Sequence, residues 1–124
     1  MAGSVKIDHY ESLVAHATGA SIAADYKSPA IDMRPVGHAI VTIKWSGYNG
    51  VTCKIYLQLS DSDVATDSLW NNWGSTLAQR TMNTASGTQV FNIWQSPTTY
   101  VRVAVDKGNG TTGTVDITYR FKRG

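Results

Sequence analysis

Apolar and polar residues alternate along much of this chain, most clearly in VTCKIYLQLS, residues 51–60. There Val51, Cys53, Ile55, Leu57 and Leu59 fall on one face, and Thr52, Lys54, Tyr56, Gln58 and Ser60 on the other. A period of two is the signature of a strand with one buried face. HAIVTIKWSG repeats it with Ala39, Val41, Ile43 and Trp45, TYVRVAVDK with Val101, Val103 and Val105, and GTVDITYRFK with Val115, Ile117, Tyr119 and Phe121. GTQVFNIW, residues 87–94, predicts a further strand that stops at QSPTT, where Pro97 cannot donate to a ladder. TLAQRTMN, residues 76–83, predicts a shorter one. GYNG (47–50) and the Gly-rich GNGTTG (108–113) predict hairpin connections between the strands on either side of them.

The first 37 residues are less regular. VKIDHYESLVA predicts one strand, bent along its length, and AIDMRP a short strand closed by Pro35. TGASIAADYKSP between them reads as a loop or arm with room for one helical turn. Seven or eight strands with one apolar face each must pack as two sheets. The expectation is therefore an all-β fold: an antiparallel β-sandwich of about 7–8 strands, jelly-roll-like arrangements included, with an irregular N-terminal arm. One domain is expected over residues 1–124, with 1–35 as the arm or first strand.

Composition narrows the function more than the fold. Eleven Lys and Arg against nine Asp and Glu leave a net charge of +2, which supplies no strong field for nucleic acid or membrane. The basic RFKRG end alternates as a strand does and reads as solvated strand-end charge. The single cysteine, Cys53, allows neither an intramolecular disulfide nor a thiolate cage. It sits on the apolar face of its strand, where a thiol is inert core. MAGSVKIDHYESLV lacks the apolar stretch of a signal peptide, and no run approaches the ~20 apolar residues of a membrane helix. A protein made in the cytoplasm without Sec export is expected.

No catalytic constellation emerges. The histidines are His9, His16 and His38, and no serine lies in a G-x-S-x-G elbow. Glu11 is the only glutamate, and the eight aspartates show no spacing that pairs two carboxylates across a cleft. Phosphate-loop, dinucleotide and His/Cys zinc patterns are absent. No cofactor and no enzymatic activity are expected.

The stretch LQLSDSDVATDSLWNNWGS, residues 57–75, breaks the alternation with four Ser, three Asp and two Trp. Asp61, Asp63 and Asp67 offer oxygens to a calcium ion, but the Gly turn and distal bidentate Glu of an EF-hand are missing. Side-chain turns that satisfy loop amides are the preferred reading. Trp70 and Trp73 either close the sandwich over its core or present a surface for sugar rings or a partner. The core reading leads, with Trp73 mostly buried and Trp70 partly exposed; Trp45 and Trp94 read as core or sheet-end packing.

From about Val36 to Arg123 the order of pieces resembles small β-sandwich virion proteins of tailed bacteriophages and prophages. IYLQLSDSD is followed by LWNNW, then TQVFNIW, then TTYVRVAVDKGNGTTGTVDITYRFK, with a Y-V-R strand expected to pair with a G-T-V-x-I-T strand. The resemblance implies a head-decoration or tail-associated subunit: non-enzymatic, a homo-oligomer that also contacts other virion proteins, assembled in the host cytoplasm. AHATGASIAADYKSPAIDMRP would then be an arm adding to a partner's sheet, against the alternative of an ordinary loop and strand folded on its own domain. Candidate assembly residues are Tyr26, Ile31, Met33 and Arg34 in the arm and Trp70, Asn71 and Asn72 at the loop tip. The rival is a carbohydrate- or receptor-binding module, which requires coplanar exposed Trp70 and Trp73, or Tyr48 with Trp45.

Overall fold

A computed structural model describes residues 13–34, 36–73, 80–94 and 96–123. Ten strands occur there: β1 (Val14–Ser21), β2 (Tyr26–Lys27), β3 (Ile31–Asp32), β4 (Val36–Ser46), β5 (Cys53–Ser60), β6 (Asn71–Asn72), β7 (Arg80–Met82), β8 (Gly87–Trp94), β9 (Tyr100–Asp106) and β10 (Thr114–Arg123). All pairings are antiparallel. One sheet has the order β1-β10-β4-β8; the other runs β2-β9-β5-β6, with β3 also on β9 and β7 also on β5. Among the described residues no helix is long and apolar enough to cross a membrane.

Two of the short pairs are interrupted edge strands: β2 with β3, and β6 with β7. Read that way, the layout is that of a jelly roll, because every connection crosses between the sheets except the one from β5 into β6. The inward faces are the ones alternation assigns, except at Val51, which precedes β5 and is 58% exposed. Val41, Ile43, Cys53, Ile55, Val101, Val103, Val105, Val115 and Ile117 are buried in one core.

The crossings overturn the two expected hairpins. GYNG links β4 to β5 and GNGTTG links β9 to β10, and in each case the two strands lie in opposite sheets. The Y-V-R strand therefore does not pair with the G-T-V-x-I-T strand. Tyr48 explains the path: its ring is buried between the sheets and its hydroxyl donates to the Lys107 carbonyl at 2.8 Å. The arches lie side by side, with Asn49 accepting from the Thr111 amide at 2.7 Å and Asn109 accepting from the Val51 amide at 2.9 Å. Gly110 is required there, because a Cβ would overlap the Tyr48 ring.

The N-terminal region is also corrected. β1 runs through TGAS, where a loop was expected, and pairs with β10. Most of the strand predicted over VKIDHYESLVA lies outside the described residues, as do Pro35 and the first part of TLAQRTMN. Of the two readings of the N-terminal segment, a partner-seeking arm and a loop and strand on its own domain, the described residues follow the second. Tyr26 and Lys27 pair with Val105 and Ala104, and Ile31 and Asp32 with Val101 and Tyr100. Ile31 on β3, and Ile22 and Met33 directly after β1 and β3, are core residues that face the same interior as β9.

Candidate functional site

The loop after β5 does not hang free at the end of the sandwich. It folds back over the outer face of the β9–β5 sheet, on the side opposite the core. Its first turns are held by serines: Ser60 Oγ accepts from the Ser62 amide at 3.0 Å and Ser62 Oγ from the Val64 amide at 3.2 Å. Asp61 reaches across instead, its carboxylate accepting from the Thr99 amide at 3.1 Å. A single 3-10 turn, Asp67–Leu69, then reverses the chain. β6 finally rejoins the sheet opposite Gln58 and Leu59.

What this roof covers is Arg102. Alternation puts Arg102 on the polar face of β9, yet it is only 1% exposed. Its guanidinium donates to Gln58 Oε1 at 2.8 Å, to the Ala65 carbonyl at 3.2 Å and to Asp67 Oδ1 at 2.9 Å. The Trp70 ring lies against it, 4.5 Å from guanidinium carbon to ring centroid. Trp70 is itself pinned, its indole N–H donating to the Val64 carbonyl at 2.8 Å. Gln58 closes the network by donating to Asn72 Oδ1 at 2.9 Å. A buried charge needs partners of this kind, since an unpaired one would be costly to desolvate.

Two of the three loop aspartates thus take different tasks, Asp61 bracing the β9 entry and Asp67 holding Arg102. Among the described residues no group of three or more His, Cys, Asp or Glu is placed to hold a metal ion. The tryptophan expectations are reversed: Trp70 is 6% exposed, whereas Trp73 is only half-buried. The cause is Arg102, which offers Trp70 a cationic surface under the roof. Between the roof and the β2–β3 edge runs a groove of about 700 Å³, with Tyr26, Pro29 and Ala30 on one wall and Ala65, Asp67 and Trp70 on the other.

The remaining candidate residues scatter. Burial raises the Tyr26 phenol above its ordinary pKa. Ile31 and Met33 point into the core and leave no surface for a partner. Arg34 is exposed and forms an ion pair with Asp32, whose carboxyl that guanidinium holds below the usual range. Asn71 and Asn72 are exposed on β6, with Asn72 tied to Gln58. The pairs required for a sugar platform are not on the surface, because Trp45, Tyr48 and Trp70 are buried.

Among the described residues the exposed aromatic is Trp94, expected as core or sheet-end packing. It is 65% exposed, at the end of β8 on the outer face of the other sheet. It lies parallel to the His38 ring, with centroids 3.5 Å apart and an interplanar angle of 2°. Parity in GTQVFNIW carried this signal: if Phe91 and Ile93 face inward, Val90 and Trp94 must face out. Both are exposed. Cys53 is buried, and burial foremost pushes its thiol up to about 11, so it stays protonated at neutral pH.

No family model matches this chain, and no curated protein matches it either. Solved structures do. SPBc2 prophage-derived protein YomS superposes with a TM-score of 0.52 at 14% identity, over 93% of this chain and 96% of that one. The PRD1 vertex protein P5 gives a TM-score of 0.48 at 13% identity, over 88% and 92% of the two chains. A CBM4 structure gives 0.45 at 13% identity over 81% of this chain, which spans 58% of that chain's length. The likeness to YomS is a likeness of fold.

Proposed function

We propose that the protein is a non-enzymatic structural subunit of a phage-like particle, working by self-assembly and by contacts with other virion proteins after assembly in the host cytoplasm. The observation that carries this reading is the exposed apolar side of β8, an unpartnered edge strand among the described residues on which Val90 and Trp94 both face outward. Apolar side chains grouped on an exposed, unpaired sheet edge are a common feature of interaction surfaces. End-to-end likeness in fold to a prophage-derived protein supports the same class. Multi-angle light scattering across a concentration series tests it. Mass above that of the 124-residue monomer, or co-sedimentation with phage particles, is the expected result. A monomer at all concentrations that binds no particle contradicts it.

A second reading, glycan or receptor binding, is favoured by one specific feature: the Trp94 ring, flat on His38 and largely exposed, is a surface on which a sugar ring can stack. Tryptophan fluorescence titrated with a glycan panel separates the two readings. A saturable change abolished by Trp94→Ala supports the glycan reading, and a flat response across the panel counts against it.

A further inference from the structure

A sandwich has four sheet edges, and three of those here are blunted. β1 carries two register shifts against β10 and a glycine at φ +64°. The β2–β3 edge is two strands of two residues each, separated by a stretch with Pro29. Ser28 there inserts its hydroxyl to accept from the Val103 amide at 2.9 Å. The opposite edge of that sheet is made of β6, two residues, and β7, three residues. Short strands, bulges and proline are the usual means of keeping an edge from pairing with another chain.

The β8 edge has none of these protections. It is eight residues long and pairs with β4 from His38↔Trp94 to Trp45↔Gly87 without a register shift. GTQVFNIW holds no charged residue and no proline. Among the described residues no strand pairs with its other side. Its outward face carries two exposed apolar side chains, Val90 and Trp94.

We infer that β8 pairs antiparallel with β8 of a second copy of this chain, about a two-fold axis at Asn92. The inference rests on the self-assembly reading and names its surface. In a two-fold pairing with outer faces on the same side, a residue two places beyond the axis faces the one two places before it in the other copy. An axis at Asn92 sets Trp94 opposite Val90 of the second copy, and Val90 opposite its Trp94. The two Asn92 amides meet at the centre, and Phe91 lies across from Ile93 of the second copy on the core side. An axis at Phe91 would set Trp94 opposite Thr88 and Val90 opposite Asn92, and an axis at Val90 would set Trp94 opposite Ser86. Only the Asn92 axis makes both exposed apolar residues partners of one another, in the aromatic to β-branched pair that stabilises sheets. The two four-stranded sheets then join into one continuous sheet.

Sedimentation of the full chain, its Val90→Lys variant and its Asn92→Cys variant tests the pairing. The expected result has three parts. The wild type self-associates, Val90→Lys weakens association about tenfold or more while its circular dichroism is unchanged, and Asn92→Cys forms an intermolecular disulfide under mild oxidant. Thr88→Cys, which the Asn92 axis holds away from its own copy, does not cross-link. A wild type that self-associates equally well with Val90→Lys, with no Asn92→Cys cross-link, overturns the β8 pairing and leaves the assembly reading standing. A strictly monomeric wild type overturns the pairing and removes self-association from the proposed function.

Discussion

Two tryptophans lie on the two outer faces of this sandwich, and each rests on a nitrogen-bearing side chain. Trp70 covers Arg102, and Trp94 covers His38. Their fates are opposite, at 6% against 65% exposed. The difference comes from the chain after each strand. Behind β5, Ser60, Ser62 and Asp61 turn the loop back over its own sheet and bring Asp67 and Trp70 to the arginine. Trp94 ends its strand on a face where its ring remains largely open. One face is completed within the chain; the other leaves its tryptophan open.

The largest effect comes from breaking the closed face. Trp70→Ala removes a buried ring, uncovers Arg102 and is expected to cost about 3–5 kcal/mol in urea denaturation. Trp94→Ala is expected to cost less than about 1 kcal/mol in the same experiment, because the ring is exposed in the single chain. A comparable loss for the two substitutions would erase the contrast.

Arg102→Met comes next. It keeps the aliphatic packing of the stem but leaves Gln58 Oε1 and the Ala65 carbonyl without their donor. About 2–4 kcal/mol is expected, with faster proteolysis in the 61–70 loop as the second readout. Asp67→Asn should be milder. The Asp67 side chain is 79% exposed, so the ion pair is half in solvent, and an amide oxygen can still accept from the guanidinium. A loss below about 1 kcal/mol, shrinking further with added salt, is expected.

How much of this was legible beforehand differs between the two faces. Alternation located β4, β5, β8, β9 and β10 to within a few residues, because each must send every second side chain into a core. It also contained the exposure of Trp94 and Val90, through the inward parity of Phe91 and Ile93. It could not contain the burial of Arg102. That depends on a loop 35 residues earlier in the chain, through the contact of Asp67 with Arg102. Nor could the turn residues of GYNG and GNGTTG distinguish a hairpin from an arch between sheets, since glycine serves both. Tyr48, buried at the crossing, decides it. The N-terminal segment stayed open between an arm and a folded-back strand for a similar reason: strands of two residues carry too little period to read, so only tertiary pairing with β9 defines them.

The smallest effect is confined to alkaline pH. Tyr56 lies on the roofed sheet, its hydroxyl donating to Asp106 Oδ1 at 3.0 Å. Burial, followed by that bond, pushes the phenol up to about 12 from 10.0, and burial pushes Cys53 up to about 11 from 9.0. Both groups are held protonated in the folded chain where the unfolded chain releases its proton. Their contribution is complete below pH 9 and is lost as pH rises through 11 for Cys53 and 12 for Tyr56. Ultraviolet titration should show a late tyrosinate, besides the raised Tyr26, that disappears in Tyr56→Phe.

The most direct measurement of the central contrast is amide hydrogen exchange followed across a protein dilution series. β9, with β5 paired on one side and β2 and β3 on the other, should exchange at a rate independent of concentration. The amides of β8 that point away from β4 should gain protection as concentration rises, in step with the growth in mass. Protection of β8 that stays constant while the mass grows would contradict the account, and would place the assembly surface elsewhere on the molecule.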